Sequence, residues 1–255
     1  MLEEGLLDAA RERVEAAFAL HIGTRYANRT INVRPGPLLA SADRFELVVR
    51  RRGGHASAPH LALDPIVVAA EIILGLQTMI TRTVDAFDPA VVTVAHVTAG
   101  TTNNIIPETA FVEGTIRTVS EETRATVHAG IRRLVEGIAA AHGATAELTI
   151  VAGFPVTMND PEFTAYVAAV AKDLLGSDQV LTLAAPIMGA EDFSYVLQKV
   201  PGAMAFVGAR PAAEEPLTAP QNHSNKVVFE EDAMIVGVAV FVTVALEYAK
   251  RPKRA

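Results

Sequence analysis

The chain has no cysteine and no tryptophan among its 255 residues. Without a thiol it cannot carry a disulfide framework, a Cys-type zinc site or a thiol nucleophile. That absence fits a cytoplasmic protein. Aromatic residues make up only 5% of the chain, too few for the stacking platforms that grip single-stranded nucleic acid. Basic charge is also short: 22 Lys and Arg against 29 Asp and Glu leave a formal net charge of −7. This balance argues against nucleic acid or an anionic membrane surface as the main partner. The opening residues carry acidic charge and lack the apolar core of a signal peptide. The most apolar run, AMIVGVAVFVTVAL over 233–246, falls short of the ~20 residues that cross a bilayer. It is expected to be a buried C-terminal helix.

What the chain does have is material for a core. Half of it is hydrophobic, and its length suits one large domain or two small ones. A short helix opens the pattern, followed by an apolar strand over 14–20 that ends at His21. A Pro- and Gly-rich passage over 34–44 reads as a crossing between units. From residue 45 the order becomes regular. A strand over 45–50 leads through the turn GGHASAPH (53–60) to a helix with Asp64 as its cap and Pro65 at its first position. Ile66, Ala69, Ile73, Leu76 and Ile80 mark the buried face of that helix. Strands over 90–97 and 109–117 follow, and Thr118 with Glu121 forms a possible capping box. The next helix carries Val127, Ile131, Leu134, Val135 and Ile138 at helical spacing, and a strand over 144–152 closes the series. Strand, helix, strand, strand, helix, strand is the ferredoxin-like βαββαβ unit. Beyond Gly153 and Pro155 come a helix over 162–175, a short strand, an apolar strand over 203–208 and the final helix. The organisation expected is therefore a module over 43–152 inserted between two flanking segments, 1–42 and 153–255, that pack together.

Several residues could carry chemistry, each with a blander reading beside it. His21 at a strand end and His223 in the loop QNHSNK could share a metal, imidazole being a common zinc ligand. Either could equally be a surface or capping histidine. Glu191 and Asp192 follow a glycine and could bind metal or steady a ligand histidine, or they could cap the helix beginning near Phe193. Asn104 and Arg117 offer a neutral donor and a planar fork that suit a carboxylate. As a turn Asn and a surface Arg they would have no such role. Small neighbours let His55 protrude from its turn. His96, His128 and His142 read as structural.

Taken together, GGHASAPHLALDP, NNIIPETAFVEGTIR, PIMGAEDFS and the late NHS resemble the dinuclear-metal amidohydrolases and carboxypeptidases. That family includes aminoacylases, hippurate hydrolases and indole-acetyl-amino-acid hydrolases, and the resemblance covers essentially the whole chain. It implies an α/β fold: a zinc-peptidase-like catalytic domain, here partial, with an inserted ferredoxin-like lid that also mediates homodimerisation. By the same resemblance His21 and His223 are metal ligands. His55 steadies the tetrahedral oxyanion in the partner subunit's site, Asn104 and Arg117 hold the substrate carboxylate, and Glu191 borders the site. The cofactor implied is a divalent metal, zinc first, with manganese, cobalt or nickel as substitutes. The substrate implied is an N-acyl amino acid or related amide. The family's His-x-Cys-Gly-His-Asp block, bridging carboxylate and paired glutamates have no counterpart in this sequence. The expectation is thus a chain inactive by itself, with weak metal binding. The alternative is a non-catalytic dimerisation or binding module derived from such an enzyme.

Overall fold

The structure is a computed structural model and describes residues 1–9 and 13–251. It divides into two compact units. One comprises Met1–Leu38, Thr157–Ile187 and Glu191–Ala255; the other comprises Leu39–Val156 with Met188–Ala190.

The first unit begins with a single 3-10 turn at Leu6–Asp8, then strands β1 (Ala17–Ala27), β2 (Ile31–Val33) and β3 (Gly36–Leu39). The second unit runs β4 (Ala42–Arg50), β5 (Gly54–His55), α1 (Pro65–Thr83), β6 (Ala90–Ala99), β7 (Ile105–Ile106), β8 (Thr109–Thr118), α2 (Glu121–Ala141) and β9 (Thr145–Phe154). The chain then completes the first unit with β10 (Thr157–Asn159), α3 (Pro161–Leu175), β11 (Val180–Thr182), α4 (Phe193–Leu197), β12 (Gly202–Arg210) and α5 (Ala233–Ala249).

In the second unit the four long strands form one antiparallel sheet in the order β6-β8-β4-β9. Alternation along β8 buries Ala110, Val112, Gly114, Ile116 and Thr118 and turns Phe111, Glu113, Thr115 and Arg117 to the other face. Both helices lie on the buried face. Ile72 and Leu76 of α1 and Ile131 and Val135 of α2 close over Phe45, Leu47 and Val112. Burying each such side chain stabilises the unit by about 1.5–3 kcal/mol. Asp64 caps α1 as its sequence suggests, its Oδ1 accepting from the Ile66 amide at 2.9 Å. Ala69 and Leu76 are buried as expected, but Val68, Ile72 and Met79 take the buried places given to Ile66, Ile73 and Ile80, and Ile66 is exposed. By length and composition α1 could cross a membrane, but here its inner face is part of this core.

Helix α2 corrects one expectation. Its cap is Ser120, whose Oγ accepts from the Thr123 amide at 3.1 Å. The proposed box partner Glu121 instead accepts from the Val156 amide at 2.9 Å. Thr118 is the last residue of β8 and is fully buried, so it is still strand where a box would need it at the helix boundary.

In the first unit a mixed sheet runs β1-β12-β2-β11. Strands β1 and β12 are parallel, β12 and β2 antiparallel, and β2 and β11 parallel. Strand β12 is buried nearly end to end, and α3 and α5 pack on the sheet through Val167, Val236, Val240 and Val244. Two further expectations are corrected here. His21 does not end its strand: β1 continues through it to Ala27, with His21 beside Phe206 in the parallel register. The final helix is buried on one face only. Ile235, Val238 and Leu246 stay exposed, because the sheet covers a single side of α5.

Candidate active site

In the first unit the site is organised around one backbone carbonyl. Ile22 O accepts from His21 Nδ1 at 2.6 Å and from Asn222 Nδ2 at 2.7 Å. The first bond commits Nδ1 to carry a proton; in the neutral ring Nε2 then holds the lone pair, the tautomer suited to a metal. That nitrogen faces Glu191 Oε1 at 3.2 Å. Two acceptor atoms at this distance require a proton or a cation between them. The Phe206 ring, 5.7 Å from the imidazole by centroids, packs beside it.

The second bond tethers the loop that carries His223. Thr24 Oγ1 adds another tie by donating to Pro220 O at 2.7 Å. His223 itself has φ of +70°, the left-handed region that non-glycine residues seldom occupy and that often marks functional turns. Asn222 and Thr24 escaped the reading of the sequence. An Asn directly before a loop histidine was the available signal. Asp192 lies at the start of α4 without a side-chain cap bond, so capping does not account for it. Among the described residues no three His, Cys, Asp or Glu side chains form a group that could hold a metal. A zinc shell normally takes about four ligands, and the facing pair His21–Glu191 offers two side chains able to serve as such.

In the second unit the turn GGHASAPH is built to present His55. Strand β5 pairs with β7, Gly54 opposite Ile106 and His55 opposite Ile105. A Cβ on Gly53 would lie 2.6 Å from Ile106 O, and one on Gly54 would lie 2.8 Å from the Ala62 side chain. Both glycines are therefore required by close approach. The imidazole is exposed, and its Nδ1 accepts from the Ser57 amide at 3.2 Å and meets Ser57 Oγ at 2.7 Å. An Nδ1 that accepts from an amide leaves the proton on Nε2, which points outward as a donor. Ser57 was a third residue missed; a Ser two positions after a His is its local signal.

Asn104 stands beside this turn, its carbonyl accepting from the Ala56 amide at 3.0 Å. Thr102 Oγ1 donates to its Oδ1 at 3.1 Å, which leaves the amide nitrogen to donate elsewhere. Arg117 is not with them. It lies near the far end of β8, eight residues beyond Thr109 where that strand begins, a span of roughly 26 Å. There its half-buried side chain borders an open depression of about 510 Å³ that Arg44, His96, Glu113 and Thr115 also line. Glu113 is engaged by Arg44 at 3.7 Å and His96 at 3.5 Å, whereas Arg117 has no ion-pair partner among the described residues. The structure thus brings His21 together with Glu191 and His55 together with Asn104, and it separates Arg117 from Asn104.

Known proteins carry the same arrangement of sequence and fold. The model of the family described as peptidase family M20/M25/M40 matches residues 1–247. Thermostable carboxypeptidase 2 of Saccharolobus solfataricus is 34% identical over 98% of this chain and 62% of its own length. N-acetylcysteine deacetylase of Bacillus subtilis is 37% identical over 96% of this chain and 61% of its own. Among solved structures, the Bacillus subtilis YXEP protein, a dinuclear metal binding peptidase from the M20 family, superposes with a TM-score of 0.76 at 34% identity, covering 97% of this chain and 60% of its own. The chain therefore spans about three-fifths of the length of these relatives.

Proposed function

We infer the function from one premise: the chain belongs to peptidase family M20/M25/M40, whose model matches residues 1–247. On that premise the protein is a metal-dependent amidohydrolase, or the larger part of one, that cleaves N-acyl amino acids or related amides. The observation that carries this reading is the facing pair His21 Nε2 and Glu191 Oε1, with Nδ1 already committed to Ile22 O. That geometry favours a divalent cation, zinc first, held by His21 and Glu191 and joined by His223 from its tethered loop. When bound, the cation would supply Lewis-acid polarisation of the scissile carbonyl.

The chain's own groups would do the rest. His55, with its proton on Nε2, would donate to the oxyanion as charge develops on it. Arg117 would pair with the carboxylate of the amino-acid part, and the amide nitrogen of Asn104 would add a neutral donor. With the length of β8 between them, these donors serve one substrate most simply when two copies each contribute one end. That favours a homodimer in which the second unit acts as a ferredoxin-like lid, His55 and Asn104 crossing to the partner's site. The strand order β6-β8-β4-β9 supports the lid assignment.

The lack of a three-ligand group among the described residues favours a second reading, a non-catalytic dimerisation or binding module. Cobalt(II) titration of the purified chain, followed by assay with N-acetyl amino acids, separates the two. Ligand-field bands that vanish in His21→Ala support the metal site, and turnover that needs added metal supports the hydrolase. A chain that dimerises but takes up no cobalt favours the binding module.

A further inference from the structure

Asp43 is the most deeply buried carboxylate of the described residues, its side chain 0% exposed. It sits where the chain enters the second unit, one residue into β4. Arg124 grips it in a fork, Nε to Oδ2 at 2.9 Å and Nη2 to Oδ1 at 2.6 Å. His128 Nε2 lies 2.7 Å from Oδ2, and the Gly153 amide donates to Oδ1 at 2.9 Å. One carboxylate thus joins the start of β4, the end of β9 and two successive turns of α2. The β4–β9 register slips between Ala42 and Arg44 at this spot. Gly153 is obligatory there, because a Cβ would strike Ala42 O.

Burying a charge for stability alone is a poor strategy, since apolar residues of similar volume usually serve as well or better. What buried ionic groups supply in some proteins is a unique register. The register at issue here leads to Arg117. The Asp43 carbonyl accepts from Thr115 Oγ1 at 3.1 Å, and Asp43 stands opposite Ile116 in the β4–β8 ladder. Two residues earlier, Ser41 brackets Thr118: its amide donates to Thr118 O at 2.8 Å, and its Oγ accepts from the Thr118 amide at 3.1 Å. Arg117 therefore sits at a strand end held by the Asp43 carbonyl on one side and by Ser41, two residues before Asp43, on the other.

We propose that Asp43, Arg124 and His128 form a positioning cluster that locks the β4–β9 bulge in one register and thereby aims Arg117 at its ligand. The consequence for Arg117 rests on the reading of that residue as the carboxylate grip; the register lock does not. Amide hydrogen exchange on the whole chain, with N-acetylglycine as the ligand probe, tests both parts. Asp43→Asn keeps the shape and removes the charge. It is expected to raise exchange at Gly153, Thr115 and Thr118 roughly tenfold or more, the scale of losing a charge-assisted bond, and to weaken the probe by a similar factor. Arg124→Lys, which keeps the charge without the fork, should show a smaller change in the same amides. His128→Gln provides a milder perturbation in case Asp43→Asn fails to fold. Protection at Gly153 and Thr118 that is unchanged in the folded variants overturns the register lock. If that protection falls while probe affinity holds and Arg117→Ala abolishes binding, the aiming role is overturned and the Arg117 reading survives. If Arg117→Ala leaves the probe's affinity unchanged, the Arg117 reading fails and the aiming role fails with it.

Discussion

Asn104 and Arg117, the pair expected to hold one carboxylate, stand beyond one end and near the other end of the same strand. Asn104 lies before β8, next to His55, and Arg117 nearly closes it. The reach of β8, roughly 26 Å from Thr109 to Arg117, separates the two along the strand. In the proposed homodimer, donors placed this way would serve one ligand across two copies. Binding of N-acetylglycine is therefore expected to depend on protein concentration and to fall away under conditions where sedimentation shows only monomer. Tight binding by a strictly monomeric sample would contradict this. Arg117→Ala should weaken the probe about 10-fold to 100-fold, the loss expected for a charge-assisted bond, in a calorimetric titration of the dimer.

The metal corner makes a separate prediction. A cation that binds the folded chain and not the unfolded one raises the melting temperature by mass action. Zinc or cobalt should therefore stabilise the wild-type chain, and a chelator should reverse the effect. On the proposed metal site, His21→Ala and Glu191→Gln should each remove most of the shift, because each takes away one of the two facing side chains. Asn222→Ala should reduce it less, since it loosens the loop of His223 without removing a ligand. Thermal scans at matched metal concentration provide the comparison.

Acid should unmask the Asp43 cluster. Burial works against the Asp43 charge, yet hydrogen bonds from His128, Arg124 and the Gly153 amide outweigh it and hold the carboxyl well below its ordinary value. Asp43 in turn raises the Arg124 guanidinium above its usual range. A carboxyl lowered in the folded state contributes stability that is complete above its unfolded pKa of about 3.9 and fades as pH falls toward the folded value. Asp43→Asn should therefore cost about 3 kcal/mol at pH 7, as when one partner of a buried ion pair is lost. The cost should shrink steadily below about pH 4. Urea midpoints at neutral and acid pH give the measurement, and a pH-independent difference would refute the linkage.

Helix α2 offers a simpler check. Ser120 Oγ accepts from Thr123 N and donates to Asp88 Oδ2 at 2.7 Å. Ser120→Ala should destabilise the chain by about 1 kcal/mol, the usual cost of losing a cap. Glu121→Gln should cost less, because its amide oxygen can still accept from Val156 N. Equal losses in a denaturant series would restore Glu121 to the reciprocal cap that its spacing from Thr118 suggested.

Much of the second unit was legible from local pattern. The spacing of Ile131 and Val135 and the alternation along β8 depend on side chains facing one core, and periodicity records that directly. The Asp64 cap was legible for the same local reason. The exposed face of α5 was not, because an all-apolar run does not say which side a sheet will cover. Nor was the passage of β1 through His21, since a half-exposed position in a strand accepts a polar side chain without breaking the pattern. Asp43 gave no signal at all: a lone Asp at a strand start reads as surface, and only its three donors account for its burial.

By itself the sequence determined the residue types available for chemistry and the order of the elements, because these follow from composition and repeat spacing. Only the tertiary structure decided which of those residues meet. Register, bulges and the carbonyl of Ile22 bring His21 to Glu191 and His55 to Asn104, and they carry Arg117 away. Those meetings depend on hydrogen bonds between residues far apart in the chain, and spacing along one strand or helix does not encode them.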